Sequence, residues 1–220
     1  MLLLMTDLLA TTQAAYDAVA ANYARDVPER YHSTPLAHAM TPLFAELVIA
    51  GGGGLVADAG CGPGHVTAHL ATLGVPAFGV DVSPEMIALA RKAHPDLRFE
   101  VGAMTALPAA DGTLAGVVAN YSIIHTPPEG LPETFAEFHR VLAPGGHLLL
   151  GFQADDHATR VGEPFDHSVT PAHRYSPDRI VALLGDTGLT EVARLIIAPS
   201  EDTKRGFPQA YLIARSRLIP

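Results

Sequence analysis

Residues 55–65 constrain the fold of this chain most, because an apolar run there leads into glycines at every second position. The run Leu55–Ala59 predicts a buried strand, and Gly60, Gly62 and Gly64 follow it. Glycine is needed where the backbone turns with positive φ or where a Cβ blocks a close approach. A strand, a glycine-rich turn and a helix in this order direct backbone N–H groups toward one point. The segment therefore predicts the first βα unit of a parallel sheet, with a ligand-binding turn.

Two acidic residues lie at the expected ends of neighbouring strands. Asp58 ends the first strand, and the apolar run 76–80 leads directly into Asp81. A carboxylate at the second position accepts hydrogen bonds from the ribose hydroxyls of nucleoside cofactors. The G-x-G-x-G spacing differs from the dinucleotide pattern G-x-G-x-x-G. A carboxylate at Asp58 suits an ammonium or a sulfonium better than a pyrophosphate. The pattern therefore favours S-adenosylmethionine over a nicotinamide cofactor.

Strand and helix patterns alternate through the middle of the chain in the way that produces an α/β fold with a parallel sheet. Ser83 followed by Pro84 predicts an N-cap and a helix start. The predicted strands span residues 55–59, 76–80, 97–101, 114–120, 146–152, 189–197 and about 210–214, and the predicted helices span 64–73, 84–93, 131–142 and 177–187.

The pattern divides one domain, residues 1–220, into three parts. Residues 1–50 are predicted to form a helical cap, with helical periodicity through Leu8–Ala24 and Pro35–Ile49. Residues 51–153 form the cofactor-binding core, and its first four glycines are predicted to be a flexible lead-in. Residues 154–220 contain a connection at 154–174, predicted to be a lid or substrate loop, and the last helix and strands.

Composition excludes several classes of protein. With 48% hydrophobic and 17% charged residues, the 220-residue chain is globular rather than disordered. Fourteen basic against 23 acidic residues give a net charge of −9, which argues against nucleic-acid binding. The single cysteine, Cys61, excludes an internal disulfide. No apolar run approaches the ~20 residues of a membrane span. We expect a cytoplasmic protein, monomeric or homodimeric, that binds neither nucleic acid nor membrane.

Three blocks of sequence together resemble the class I S-adenosylmethionine-dependent methyltransferases. Asp58–Gly64 resembles the family's cofactor loop, and Val80–Met86 resembles its acidic ribose-binding strand end and following helix. Phe138–Leu150 resembles its helix, Pro-Gly-Gly turn and fifth strand. The likeness spans residues 50–153 and is greatest to the small-molecule branch related to ubiquinone and menaquinone biosynthesis. It implies a three-layer Rossmann-like sandwich whose mostly parallel, seven-stranded sheet has an antiparallel last strand.

The resemblance implies methyl transfer from S-adenosylmethionine to an O, N or C atom of a small molecule by in-line displacement. From the residues themselves, we expect no metal site. Carried over position by position, the resemblance assigns cofactor binding to Tyr16, Tyr23, Asp58, Gly60, Cys61, Gly62, Gly64, Asp81, Val82, Met86, Ala103, Met104, Asn120 and Ser122.

Two positions depart from the family pattern. Ala103 stands where relatives carry an aspartate that accepts from the adenine amino group, although Met104 can still contact the ring. Ala115 stands where relatives carry an acid in the fourth-strand block. These departures allow an alternative, a protein that binds the cofactor without catalysis. A nicotinamide-dependent reductase and a nucleic-acid or protein methyltransferase are less favoured alternatives.

Four side chains allow two interpretations each. His125 follows the fourth strand, where many relatives carry a histidine, and is a candidate general base or a histidine that orders the pocket. Tyr16 and Tyr23 share one helical face and either cover the methionine half of the cofactor or pack in the core. Cys61 is interpreted as a small residue that fits inside the turn rather than as a reactive thiol.

The eleven histidines include two sets whose spacing suggests a metal. His65 and His69 stand at i and i+4 but lack the glutamate of the zinc-protease helix. The second set lies in the 154–174 connection, and we interpret it as part of a solvated loop, with a substrate pocket lined by one or two of its histidines as the alternative. That set is His157, His167 and His173 with Asp155, Asp156 and Asp166.

Overall fold

A computed structural model describes residues 2–155, 160–202 and 204–217. It contains nine strands. These are β1 (Val56–Ala59), β2 (Ala77–Asp81), β3 (Arg98–Val101), β4 (Leu114–Asn120), β5 (Leu142–Gln153), β6 (Gly162–Phe165), β7 (Ala172–Tyr175), β8 (Leu189–Ile197) and β9 (Gln209–Ser216).

Seven of these strands form one sheet in the order β3-β2-β1-β4-β5-β9-β8. Strands β1 to β5 pair in parallel, whereas β9 lies between β5 and β8 and is antiparallel to both. The predicted α/β Rossmann-like architecture, with a mostly parallel sheet and an antiparallel last strand, is therefore confirmed. The remaining two strands, β6 and β7, pair with each other as a hairpin.

Helices cover both faces of the sheet and give three layers. They are α1 (Leu2–Ser33), α2 (Pro35–His38), α3 (Met40–Ala50), α4 (His65–Thr72), α5 (Pro84–Ala93), α6 (Leu131–Val141) and α7 (Pro177–Asp186). Neighbouring residues of β4 point to opposite faces, as the strand period requires. Val117 joins a core cluster with Phe135 of α6, and Val118 joins a second cluster with Phe44 of α3.

The predicted strands and helices of the core agree with the structure within a few residues, and two segments differ. The connection 154–174, predicted to be a loop, contains the β6–β7 hairpin. Tyr175 of β7 is fully buried, so core packing fixes this hairpin. Strand β5 begins at Leu142 rather than at residue 146.

The N-terminal region also differs in detail from the prediction. Helix α1 runs from Leu2 through Ser33 and includes Pro28. The N–H groups of Gly51, Gly52 and Gly53 donate to carbonyls of the last turn of α3. These glycines therefore end a helix and turn the chain into β1. In the described part of the chain, none of the helices combines the length and hydropathy that a bilayer span requires.

Candidate active site

A cavity opens at the carboxyl ends of β1, β2 and β4, and α1 lies along its side. It encloses about 1050 Å³, counting the part that is open to solvent. Open parallel sheets bind ligands at this edge. Twelve of the predicted site residues line the cavity, namely Tyr16, Tyr23, Asp58, Gly60, Cys61, Gly62, Asp81, Val82, Met104, Asn120, Ser122 and His125.

Three predicted residues do not line the cavity. Met86 is buried in the core, and its N–H donates to the N-cap hydroxyl of Ser83 at 3.1 Å. A Cβ on Gly64 would lie 2.6 Å from the ring of Phe99, so this glycine allows close packing behind the turn. Ala103 is the third predicted residue that does not line the cavity. The structure thus gathers the turn and the strand ends around the cavity, whereas Gly64, Met86 and Ala103 are not part of its lining.

The glycine turn is fixed by backbone geometry. Gly60 and Gly62 have φ of 79° and 52°, which disfavour any side chain. The N–H groups of Gly60 and Cys61 donate to the carbonyl of Val80 at 2.7 and 3.0 Å. Burial raises the pKa of the Cys61 thiol, so the thiol stays protonated at neutral pH. This agrees with a small structural side chain rather than a nucleophile.

The carboxylate of Asp81 binds the turn directly. Its Oδ2 accepts from the Gly62 N–H at 2.8 Å, and its Oδ1 accepts from the Ser83 N–H at 2.9 Å. Burial raises the pKa of Asp81, and the backbone hydrogen bonds oppose that shift. The acid therefore connects the end of β2 to the glycine turn and faces the cavity from there.

Asp58 lies at the end of β1 and is almost fully buried. Its Oδ2 accepts from the Thr67 hydroxyl at 2.6 Å. Burial raises the pKa of Asp58 to about 7. A cation beside such a group favours its charged form.

Two buried polar atoms at the cavity have no hydrogen-bond partner among the described residues. These are Ser122 Oγ and His65 Nδ1. A buried polar atom without a partner costs about 1–3 kcal/mol. Both atoms belong to residues that line the cavity, so a polar ligand there is one source of the missing partner. Together with the glycine turn and the two acids, they fit a ligand that has several polar groups and a cationic centre.

His125 lies between two polar groups from distant segments. Its Nε2 is 2.7 Å from the Tyr16 hydroxyl, and its Nδ1 is 3.1 Å from the carbonyl of Pro171. A carbonyl only accepts, so Nδ1 carries the proton, and the neutral ring accepts from Tyr16 at Nε2. Burial lowers the pKa of His125, which keeps the ring neutral near pH 7.

The remaining predicted histidines have other neighbours. The ring of Tyr31 packs against those of both His65 and His69, and its hydroxyl is 2.9 Å from His69 Nδ1. The ring centroid of His167 is 5.3 Å from that of His125, and burial lowers the pKa of His167 to about 4. His173 stacks on Tyr175.

The acids of the 154–174 connection have partners away from the cavity. Asp155 forms an ion pair with Arg160 at 3.3 Å, and the backbone carbonyl of Asp166 accepts from Arg205. Asp156 and His157 lie outside the described residues. Within the described ranges, no three histidine, cysteine or acidic side chains are grouped to hold a metal ion.

Nine residues line the cavity without having been predicted. Several of them share the α1 face of Tyr16 and Tyr23, so helical spacing alone was a sufficient signal for these. Tyr121 has a φ of 55° directly after β4, and no sequence signal predicts that conformation for a tyrosine. The nine are Thr12, Val27, Arg30, Tyr31, Ala37, His65, Val66, Gly102 and Tyr121.

Comparison with known proteins gives one family match. Residues 56–146 match the methyltransferase domain family. The chain is 38% identical over 92 residues to demethylmenaquinone methyltransferase of Chlorobaculum parvum, covering 41% of this chain and 37% of that protein. It is 28% identical over 128 residues to malonyl-[acyl-carrier protein] O-methyltransferase of Pectobacterium atrosepticum, covering 57% and 50%. The chain thus spans half or less of these relatives' own length.

Solved structures resemble the chain over nearly its whole length. The 1,6-didemethyltoxoflavin-N1-methyltransferase of Burkholderia thailandensis, with bound 1,6-didemethyltoxoflavin and S-adenosylhomocysteine, has a TM-score of 0.72 at 23% identity, covering 94% of this chain and 88% of that one. Magnesium protoporphyrin IX methyltransferase of Synechocystis, with bound SAM, has a TM-score of 0.71 at 19% identity, covering 95% and 97%. At these identities the likeness shows the fold.

Proposed function

We propose that this chain, whose residues 56–146 match the methyltransferase domain family, transfers a methyl group from S-adenosylmethionine to a small-molecule acceptor. The observation that carries the proposal is the placement of Asp58 and Asp81 on neighbouring strand ends around one glycine turn. Asp81 suits a ribose and Asp58 suits a cationic centre. A nucleoside sulfonium has both groups.

The residues that hold the cofactor in this proposal surround the cavity. Asp81 accepts from the ribose hydroxyls, and Met104 packs on the adenine. Gly60 and Gly62 admit the cofactor because they lack side chains. Asp58 stabilises the cationic half, and Ser122 Oγ gains the hydrogen-bond partner that it lacks in the described structure.

The bound cofactor supplies a methyl group already activated by its sulfonium. The protein therefore contributes mainly by holding an acceptor in line and by excluding water. Tyr16 and Tyr23, whose ring centroids are 5.6 Å apart, cover the cavity from α1. The two relatives and the two structural neighbours named above are methyltransferases, which supports the class of reaction. The chain acts as a monomer or homodimer in this proposal.

Calorimetric titration with S-adenosylhomocysteine tests the cofactor, with NADH as the parallel control. We expect micromolar binding of the first compound and none of the second. Asp81→Asn should weaken binding by about 10- to 100-fold, since a hydrogen bond to a charged group contributes roughly 1.5–3 kcal/mol. Asp96→Asn makes the same charge change at an exposed turn and should bind as the wild type does.

Two results contradict the proposal in different ways. Equal affinity of Asp81→Asn and wild type would mean that the cofactor lies elsewhere. Tight binding without turnover on any panel of acceptors would identify a binding protein without catalysis.

A further inference from the structure

Three segments far apart in the sequence meet at the ring of His125. Tyr16 comes from α1, His125 from the turn after β4, and Pro171 from the β6–β7 hairpin. The Pro171 carbonyl binds Nδ1–H and thereby fixes the tautomer of the ring. Nε2 is left as the basic atom, and it accepts from the Tyr16 hydroxyl at 2.7 Å.

The phenol of Tyr16 occupies the hydrogen-bonding position of this basic nitrogen at the cavity wall. Tyr16 and His125 both line the cavity, and their rings meet edge to face with centroids 5.4 Å apart. Because Nε2 is already bound to the phenol, a proton from a ligand reaches the imidazole by way of the Tyr16 oxygen. A tyrosine hydroxyl both donates and accepts, so it can take one proton while it gives another.

The surroundings keep both groups in the forms that this transfer requires. The titratable groups that face the pair are Tyr23 and Asp81 on the Tyr16 side, with His167 and His173 on the His125 side. Burial raises the pKa of Tyr16 well above its usual range, so its hydroxyl keeps its proton. Burial lowers the pKa of His125, so the ring is neutral near pH 7 and its Nε2 carries no proton.

We propose that Tyr16 and His125 form a proton relay, and that the acceptor of this site is a phenol or enol whose O–H proton must leave during methyl transfer. The Tyr16 oxygen takes the proton from the acceptor while the Tyr16 proton moves to Nε2 of His125. The acceptor oxygen keeps the electron pair of the broken O–H bond and uses it to bind the methyl carbon, while the bond from that carbon to the cofactor sulfur breaks and leaves its electron pair on the sulfur. The imidazolium then releases its proton to water. This inference rests on the proposed methyl transfer and specifies its acceptor.

Nitrogen NMR of the histidine rings tests the relay without any acceptor. In the protein saturated with S-adenosylhomocysteine, the His125 signal is identified by its absence in His125→Gln. We expect the Nδ1–H tautomer in the wild type. Tyr16→Phe should shift the Nε2 resonance and raise the midpoint of the His125 titration, because the neutral ring loses a hydrogen bond. If His125→Gln does not fold, Tyr16→Phe alone identifies the signal, since the lost hydroxyl contacts that ring directly.

Turnover of two probes then tests the acceptor class. 2-Naphthol keeps its proton at pH 7.5, whereas thiophenol is largely ionised there. Tyr16→Phe should lower 2-naphthol methylation by about 10²-fold, the usual contribution of a positioned acid–base group. The loss should shrink as rising pH ionises the naphthol. In the same Tyr16→Phe variant, thiophenol methylation should change by only about 2- to 3-fold, because the ionised thiol has no proton to lose.

Each contrary result has its own meaning. Failure to bind S-adenosylhomocysteine would overturn the proposed function itself. If the cofactor binds, three results would overturn the relay. The first is an Nε2–H tautomer of His125 in the wild type. The others are an equal loss of turnover on both probes in Tyr16→Phe, and methylation of thiophenol alone by the wild type. Methylation of neither probe by a cofactor-binding chain would overturn the phenol or enol acceptor.

Discussion

Gly60 occupies a position that a residue with a Cβ cannot take without displacing Ser122. A Cβ there would overlap the Cβ of Ser122. The backbone φ of 79° already disfavours a side chain. The glycine therefore allows the turn to approach the end of β4 closely. This contact brings the unpartnered Ser122 hydroxyl to the cavity.

Gly60→Ala should destabilise the protein by at least about 1–3 kcal/mol, the usual cost of a forced backbone conformation or of overpacking. Gly185→Ala is the matched control, because Gly185 lies in α7 with nothing near its missing Cβ. In a helix, the same change stabilises by roughly 0.5–1 kcal/mol. Urea unfolding of both variants without ligand measures the difference. Equal effects at the two positions would contradict the steric argument.

Outside α1, some of the residues that sequence analysis missed lack any local signal at their own positions. Tyr121 adopts a φ of 55°, and its hydroxyl donates to Gln209 at 2.8 Å on a strand far away in sequence. Only the assembled sheet brings these two residues together. In contrast, the glycines and strand-end acids were predictable because the backbone itself requires those residue types at those positions.

A polar contact of Asp17 attaches helix α1 to the start of α5 beside the cavity. The Ser83 hydroxyl donates to Oδ1 of Asp17 at 2.5 Å, and the same hydroxyl accepts from the Met86 N–H at the start of α5. Asp17 therefore lies at the positive end of α5. Because Tyr16 is its neighbour in α1, this contact also positions the phenol beside His125.

Asp17→Asn should weaken S-adenosylhomocysteine binding about fivefold, since a helix-end charge contributes up to ~1 kcal/mol. The reason is that a looser α1 covers the cavity less well. Asp7→Asn makes the same change on an exposed part of α1 and should leave the affinity unchanged. Calorimetry of the two variants provides the comparison. An equal effect of both variants would attribute the loss to net charge instead.

The hairpin β6–β7 shows why one element escaped prediction. Its two strands contain only four residues each, and Gly162 and Pro164 both disfavour strand on propensity. The hairpin forms because Tyr175 is fully buried and bonds to carbonyls of the turn after β4. The core strands and helices were predictable because their hydrophobic runs are long and regular.

Buried titratable groups couple the stability of the whole molecule to pH in two opposing directions. Burial lowers the pKa of His65 and His167 from 6.5 to about 4. The contribution of these histidines to the free energy of unfolding is complete above pH 6.5 and is lost as the pH falls through 4. Burial raises the pKa of Asp58 from 3.8 to about 7, so its contribution is complete below pH 3.8 and is lost as the pH rises through 7.

Asp58→Asn should therefore make the protein more sensitive to acid. The variant keeps the two histidines, which release protons on folding because burial lowers their pKa. It loses Asp58, which takes up a proton on folding because burial raises its pKa. Between pH 6.5 and 4, its urea midpoint should fall more steeply than that of the wild type. Asp96→Asn, at an exposed position, serves as the control. Parallel curves for Asp58→Asn and wild type would show that Asp58 does not contribute to this linkage.

The place of β9 between β5 and β8 has a consequence for biosynthesis. Chains emerge from the ribosome in order and fold first at their N-terminal side. Strands β1 to β5 can pair as they appear, but β8 has no partner in the sheet until β9 has been made. A nascent chain halted before Gln209 therefore exposes the free edges of both β5 and β8. Until β9 is made, these unpaired edges are available to pair with other chains or to bind chaperones.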